Sequence, residues 1–308
     1  MAKIIKIDYK KFIEENFMIL DRENQVPIPF KFNPVQEKYY NMMFNGEKPI
    51  YPYQQGVREI ILKARQQGFS SFILALFTVD FLTRPYSISI CISHRKDSTE
   101  LLFKKVRFYI ESYLAVLAEK RGTKLNQEMV NQFFKSDNKG MIENSDNNAM
   151  FYIGTAGSKV GGRGGSARNI HFSEGAFYQD TEIVTAREII VATAQQVPQG
   201  KGMIFIESTA NGEGNFYHSE WIRAENHEST YKPRFFGWRE FYTEKWVMEK
   251  RKEFPTDKLW KQEYPETAEE AFITSGSPYF DVEKLNEMLK ESPEPIDFGR
   301  VAPDGHFL

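Results

Sequence analysis

A single cysteine, Cys91, stands in a chain of 308 residues. It lies in the apolar run Ser87–Ser93, can form no internal disulfide, and reads as core in a reducing compartment. No apolar run reaches the ~18 residues that a membrane helix needs, and no secretory leader pattern opens the chain. The expectation is a soluble, cytoplasmic protein with no membrane partner. An excess of one charge is also missing: 40 basic against 42 acidic side chains leave a net charge of −2. Bulk electrostatics therefore indicate no nucleic-acid partner, and any DNA-binding face must be local. The histidines His94, His171, His218, His227 and His306 are scattered, and none is spaced as a zinc set.

What is present is apolar material in a regular order. Hydrophobic residues make up 41% of the chain and aromatics 15%, enough for a sizeable core and against disorder. The length suggests about two domains. Strand-like runs cover Gly56–Leu62, Ser87–Ile92, Ala149–Ile153, Asn169–Phe172, Lys201–Ser208 and Arg234–Trp238. Helical stretches lie between several of them: Ser70–Leu82, Asp97–Glu119, Thr181–Gln196 and Gly214–Glu225. Such alternation predicts an α/β fold with a largely parallel sheet and ligands at the carboxyl ends of its strands. Lys120–Asn148 is polar and reads as loop, with a turn region over Asp137–Asn148. Thr243–Tyr264 is helical, charged and rich in Trp and Lys, cut by Pro255, Pro265 and Pro278 into a small helical appendage. Glu291–Leu308 has three prolines, two glycines and no periodicity, and reads as a linker.

The segment Lys63-Ala64-Arg65-Gln66-Gln67-Gly68-Phe69-Ser70-Ser71 falls between the strand ending at Leu62 and the helix opening at Ser70. A phosphate loop runs Gly-x-x-x-x-Gly-Lys-Ser/Thr in that position. Gly68 and Ser70 fill the second glycine and the Mg²⁺-binding hydroxyl, while Phe69 stands where the lysine belongs and Lys63 where the first glycine belongs. Lys63 or Arg65 can supply the displaced cation, and the helix start can receive an anion. Taken alone, the segment serves as well as an ordinary strand–turn–helix corner with a basic turn.

Ser173-Glu174 follows the strand Asn169–Phe172. A carboxylate at a strand tip can activate a water for attack on a γ-phosphate. Ser173 occupies the place of an Asp that holds Mg²⁺ through its water shell; a hydroxyl can bond such a water but adds no charge. Glu174 alone also suits a solvated loop carboxylate or a helix cap. The basic, glycine-rich loop Ser158–Ser166 is either a flexible connection or the carrier of an arginine, Arg163, that reaches a neighbouring subunit's nucleotide. Ser208-Thr209-Ala210-Asn211-Gly212 can sense a γ-phosphate or simply form a turn. Asn33 and Pro34 open an N-terminal helix as cap and first residue, and Gln36 can either bond an adenine edge or lie on the surface. Lys104-Lys105-Val106-Arg107, with Arg95 and Lys96, can line a DNA path or form the wet face of a helix.

Together these motifs resemble one family, the large terminase subunit of tailed bacteriophages. The resemblance spans about residues 33–280 and rests on NPVQ, KARQQGFSS, GGRGGSARNIHFSEGAF, FIESTANGEG and YPETAEEAFITSG. It implies a P-loop ATPase core of the additional-strand, catalytic-glutamate, RecA-like type over 1–240, a small helical lid over 241–290 and a linker over 291–308 toward an absent nuclease domain. It further implies Mg²⁺-dependent ATP hydrolysis that drives double-stranded DNA into a procapsid. ATP would meet Gln36 and the loop residues Lys63, Ala64, Arg65, Gln66, Gln67, Gly68, Phe69, Ser70 and Ser71. Mg²⁺ would meet Ser70 and, through water, Ser173. Glu174 would be catalytic, Arg163 would act in trans, and Ser208, Thr209, Ala210 and Asn211 would couple. The implied partners are DNA, the portal protein, the small terminase subunit and further copies in a ring of five, in the host cytoplasm at the portal vertex. No acidic cluster suits DNA cleavage, so no nuclease activity is expected. A helicase-like remodelling ATPase and a non-hydrolysing nucleotide-binding scaffold remain as alternatives, Phe69 and Ser173 favouring the latter.

Overall fold

A computed structural model describes residues 7–274 apart from 22, 44–55 and 158–165, together with Lys284 and Met288. Arg163, Pro278 and the 291–308 linker lie outside the described residues. Contacts divide the chain into a unit over Met1–Ser275 and a second over Gly276–Leu308, and the strands and helices named below all belong to the first.

The chain runs α1 (Tyr9–Asn16), a small hairpin of β1 (Met18–Leu20) and β2 (Pro27–Pro29), then α2 (Pro34–Met43). The core comes next: β3 (Val57–Lys63), α3 (Phe69–Thr83), β4 (Ile88–Ser93) and α4 (Lys96–Lys120). Then come α5 (Gln127–Phe133), β5 (Phe134–Asn138), β6 (Met141–Asn144), β7 (Met150–Thr155) and β8 (Asn169–Ser173). The series ends with α6 (Ala186–Ala194), β9 (Met203–Ser208), α7 (Phe216–Glu225), β10 (Lys232–Phe236), α8 (Glu244–Arg251), α9 (Asp257–Glu263) and α10 (Ala268–Thr274).

Among the described residues, eight strands form one sheet in the order β10-β3-β9-β8-β4-β7-β6-β5. Pairing is parallel from β10 to β7 and antiparallel for β7-β6 and β6-β5. Strand β9 thus lies between β3 and β8, which are separated by more than a hundred residues in sequence. Alternate residues of each strand serve opposite faces. Ile61, Cys91 and Phe205 pack in one cluster with α1 to α4, and Ile60, Ile90, Ile170 and Ile204 in another with α6, α7 and α10. Because both faces are covered, these strands read as unbroken apolar runs. Helix α3 is buried almost all round, with eleven of its 15 residues buried, so its sequence shows no polar stripe.

Three sequence expectations are corrected. The stretch Lys120–Asn148 is not loop: it holds α5 and the β5-β6 hairpin, turned at Gly140, whose N–H donates to Asn138 Oδ1 at 3.0 Å. These outer strands bury few side chains (Ile142 and Asn144 of β6), so alternation is faint. The helix expected from Thr181 starts at Ala186, where Thr185 and Glu188 form a capping box. The helix expected from Gly214 starts at Phe216, with Asn215 as its cap. Among the described residues, no helix is long and apolar enough to cross a membrane.

Candidate nucleotide site at the carboxyl edge of the sheet

Lys63 is the last residue of β3, and the loop after it delivers the chain to α3 through Gly68, whose φ is +82°. A side chain here would be strained, and a Cβ would come 2.7 Å from Gln36 Nε2. Gly68 caps α3 through backbone alone, so no side chain covers the first free N–H groups of the helix. Phe69 turns into the core, its ring 4.8 Å from that of Phe236 and 5.4 Å from that of Tyr39. Phe69 is therefore a packing residue of the core.

Lys63 brings a buried ammonium to this edge of the sheet. Its ammonium lies 2.9 Å from Glu174 Oε1 and 3.8 Å from Glu207 Oε1, and the side chain is only 7% exposed. Burial alone would lower its pKa, but Glu174 and Glu207 outweigh this and raise it, so Lys63 stays charged. Arg65 points the other way. Its guanidinium pairs with Glu263 Oε2 at 2.6 Å, its N–H donates to Glu263 O at 2.8 Å, and its carbonyl accepts from Tyr242 Oη at 2.8 Å. Ala64 is fully buried and its N–H donates to Phe236 O, while the Gln67 side chain donates to Gly237 O at 2.8 Å. Gln66 takes a positive φ of 66°.

Glu174 follows β8 with a φ of 55° and ψ of 50°, a left-handed conformation costly for a residue with a side chain. Beyond Lys63, its Oε2 accepts from Ser208 Oγ and Thr209 N, each at 3.3 Å. Asn211 Nδ2 donates to Ala176 O at 3.1 Å, and Ala210 is buried beneath. The Ser208–Asn211 segment therefore grips the glutamate and the turn after it. Contacts from Lys63, Ser208 and Thr209 thus hold this left-handed residue in place.

Gln36 is buried, not on the surface. Its Oε1 accepts from Asn33 N at 3.1 Å, Asn33 Oδ1 accepts from Gln36 N at 2.9 Å, and Nε2 donates to Gly68 O at 3.0 Å. Asn33 Nδ2 donates to Gln67 O at 3.0 Å. The pair caps α2 and clamps the loop after β3. Of the basic stretch on α4, Lys105 reaches this site, donating to Ser71 Oγ at 2.9 Å, while Arg107 pairs with Asp137.

Sequence reasoning passed over Glu207. It is fully buried at the end of β9; Ser70 Oγ donates to its Oε1 at 2.7 Å, and His171 Nε2 lies 3.5 Å from Oε2. Burial would push its carboxyl up, but Lys63, His171 and Ser70 hold it down at about 2. The available signal was a charge inside the apolar run Met203–Ser208, in step with Met203 and Phe205 on the α3 face. Among the described residues, no three or more His, Cys, Asp or Glu side chains gather to hold a metal. An ion here would rest on phosphate and water with one or two protein oxygens, as Mg²⁺ commonly does.

The loop after β3, the gripped glutamate after β8 and the strand β9 inserted between them define a mixed α/β fold with a mainly parallel sheet and the candidate site at its carboxyl edge. In particular, the fold is shared with the HK97 bacteriophage large terminase, at a TM-score of 0.54 and 12% identity, covering 93% of this chain and 52% of that one. The chain thus spans about half of that protein's length. A variant of the ATPase domain of the Thermus phage P74-26 large terminase aligns at a TM-score of 0.45 and 17% identity, over 74% of this chain and 96% of that one. The same ATPase domain without the substitution aligns at 0.44 and 16%, over 69% and 87%. The likeness to the HK97 protein is the one that carries the fold assignment. No protein-family model and no curated protein matches the chain. At 12% identity the likeness to the HK97 protein is one of fold.

Proposed function

We propose that the chain is the ATP-hydrolysing part of a phage DNA-packaging motor. The observation that carries this reading is the Lys63–Glu174 contact, which joins the tip of the phosphate-loop strand to the strained carboxylate across the inserted strand. N–H groups at the start of α3 receive the β- and γ-phosphates, and Lys63 and Lys105 add charge. An incoming γ-phosphate competes for the Lys63 ammonium, which frees Glu174 Oε1 to orient a water. The water oxygen bonds the γ-phosphorus, its proton passes to Glu174, and the bond to the β–γ bridging oxygen breaks. Mg²⁺, when bound, neutralises charge on those phosphates. Arg163 from a neighbouring copy would stabilise the same transition state, making full turnover a property of an assembled ring on a portal. Movement of double-stranded DNA, with the small terminase subunit as a partner in initiation, is the work assigned to that ring.

Glu174→Gln tests the reading. Phosphate release with Mg²⁺ and DNA should fall by about 10²–10⁴-fold while nucleotide binding persists. Unchanged turnover would overturn the assignment.

A further inference from the structure

Resting on that reading, we infer that Glu207 is the carboxylate of the Mg²⁺ water shell, moved one strand sideways from the usual place. The motif pattern puts that carboxylate at the tip of β8, at Ser173, next to the catalytic glutamate. Ser173 is paired in register with Glu207 on β9, and both lie on the α3 face. On the other side Ser93 of β4 pairs with Ser173. One row across the sheet therefore reads Ser93, Ser173, Glu207, with the negative charge on the strand nearer the phosphate loop. Glu207 has one methylene more than an Asp, and its carboxylate reaches Ser70, the loop hydroxyl that the motif assigns to the ion.

The distances distinguish this role from that of a plain counter-ion. Lys63 is closer to Glu174, at 2.9 Å, than to Glu207, at 3.8 Å, whereas Ser70 Oγ comes within 2.7 Å of the Glu207 carboxylate. Burying a carboxylate completely is costly unless it is paired, and the partners within reach of Glu207 are Lys63, His171 and Ser70. A further observation points to an occupant: Ser93 Oγ, in the same row, is buried without a hydrogen-bond partner. A hydroxyl, a carboxylate and the Ser70 hydroxyl at one edge suit a hydrated divalent cation held against phosphates. The loss of Asp at position 173 then costs the site no charge.

The test measures Mn²⁺ binding by electron paramagnetic resonance in the presence of a non-hydrolysable ATP analogue, with analogue affinity followed separately by fluorescence. Glu207→Gln should weaken Mn²⁺ in the ternary complex by about 10–100-fold and leave the metal-free affinity for the analogue near wild type. Ser173→Asp combined with Glu207→Gln returns the carboxylate to β8 and should recover most of the Mn²⁺ affinity; it also decides the matter if the single variant folds poorly. Wild-type Mn²⁺ affinity in Glu207→Gln, or a double variant no better than the single, overturns the assignment while leaving the ATPase reading intact. Absence of analogue binding by the wild-type chain would overturn both.

Discussion

The loop between β3 and α3 has an inner and an outer wall, and the two are built on different principles. Lys63 on the inner wall is 7% exposed and shared between two carboxylates; Arg65, two residues on, is 56% exposed and pairs with one. The outer wall is otherwise aromatic packing. Tyr242 stacks on Trp246 at 3.8 Å and Trp260 on Tyr264 at 4.7 Å, with Ala64 fitted against the group. Apolar burial of this kind stabilises without needing charge. The inner wall pays for buried ions that apolar residues of similar volume would replace at no loss of stability. The difference teaches that one loop can be held in two ways: the outer wall fixes it by apolar packing, and the inner wall by buried ion pairs.

That contrast can be broken by experiment. Lys63→Ala strands two carboxylates, one of them fully buried, and should cost about 3–5 kcal/mol in urea unfolding, along with most nucleotide affinity. A loss under about 1 kcal/mol would mean the inner wall is no more than surface electrostatics. Gly68→Ala, at the junction of the walls, forces a side chain into a left-handed backbone and against Gln36. Its expected cost is about 1–3 kcal/mol, with weaker nucleotide binding, read by the same titrations. Arg65→Ala should cost about 0–1 kcal/mol, since an exposed pair is screened by solvent, and should leave nucleotide affinity unchanged. A loss of affinity as large as that of Lys63→Ala would show that the outer wall also faces the phosphates.

Much of this was legible in the sequence because buried parallel strands write themselves as apolar runs. The strands β3, β4, β8 and β9 were found to within a residue or two, and their order of helices and strands predicted the sheet. The β5-β6 hairpin and the small β1-β2 hairpin were not, since strands that bury few side chains lack the pattern that burial imposes. At the site, Lys63 and Glu174 were legible as ends of runs. Which of Lys63 and Arg65 faces the carboxylates was not, because a turn decides direction and turn residues carry little record of it. Glu207 was hidden for the opposite reason. It sits within a run whose apolar neighbours dominate the reading, and only the register with Ser173 gives it meaning. Gln36 reads in the sequence as either an adenine contact or a surface residue; its burial was not legible because its partners, Asn33 and Gly68, are brought to it by α2 and by the loop fold.

The clamp from α2 has a directional effect. Asn33 and Gln36 take the carbonyls of Gln67 and Gly68. In a trans peptide unit the C=O and N–H point opposite ways, so fixing these two oxygens toward α2 aims the N–H groups of Gly68 and Phe69 away from it. Two side-chain amides more than thirty residues upstream thereby help to set the direction of two peptide dipoles at the start of α3. The two peptides are not equally dependent on the clamp: Gly68 O also accepts from Phe72 N at 3.0 Å, so loss of the Asn33 amide would release the Gln67–Gly68 peptide, whereas loss of the Gln36 amide would leave the next one tied to the helix.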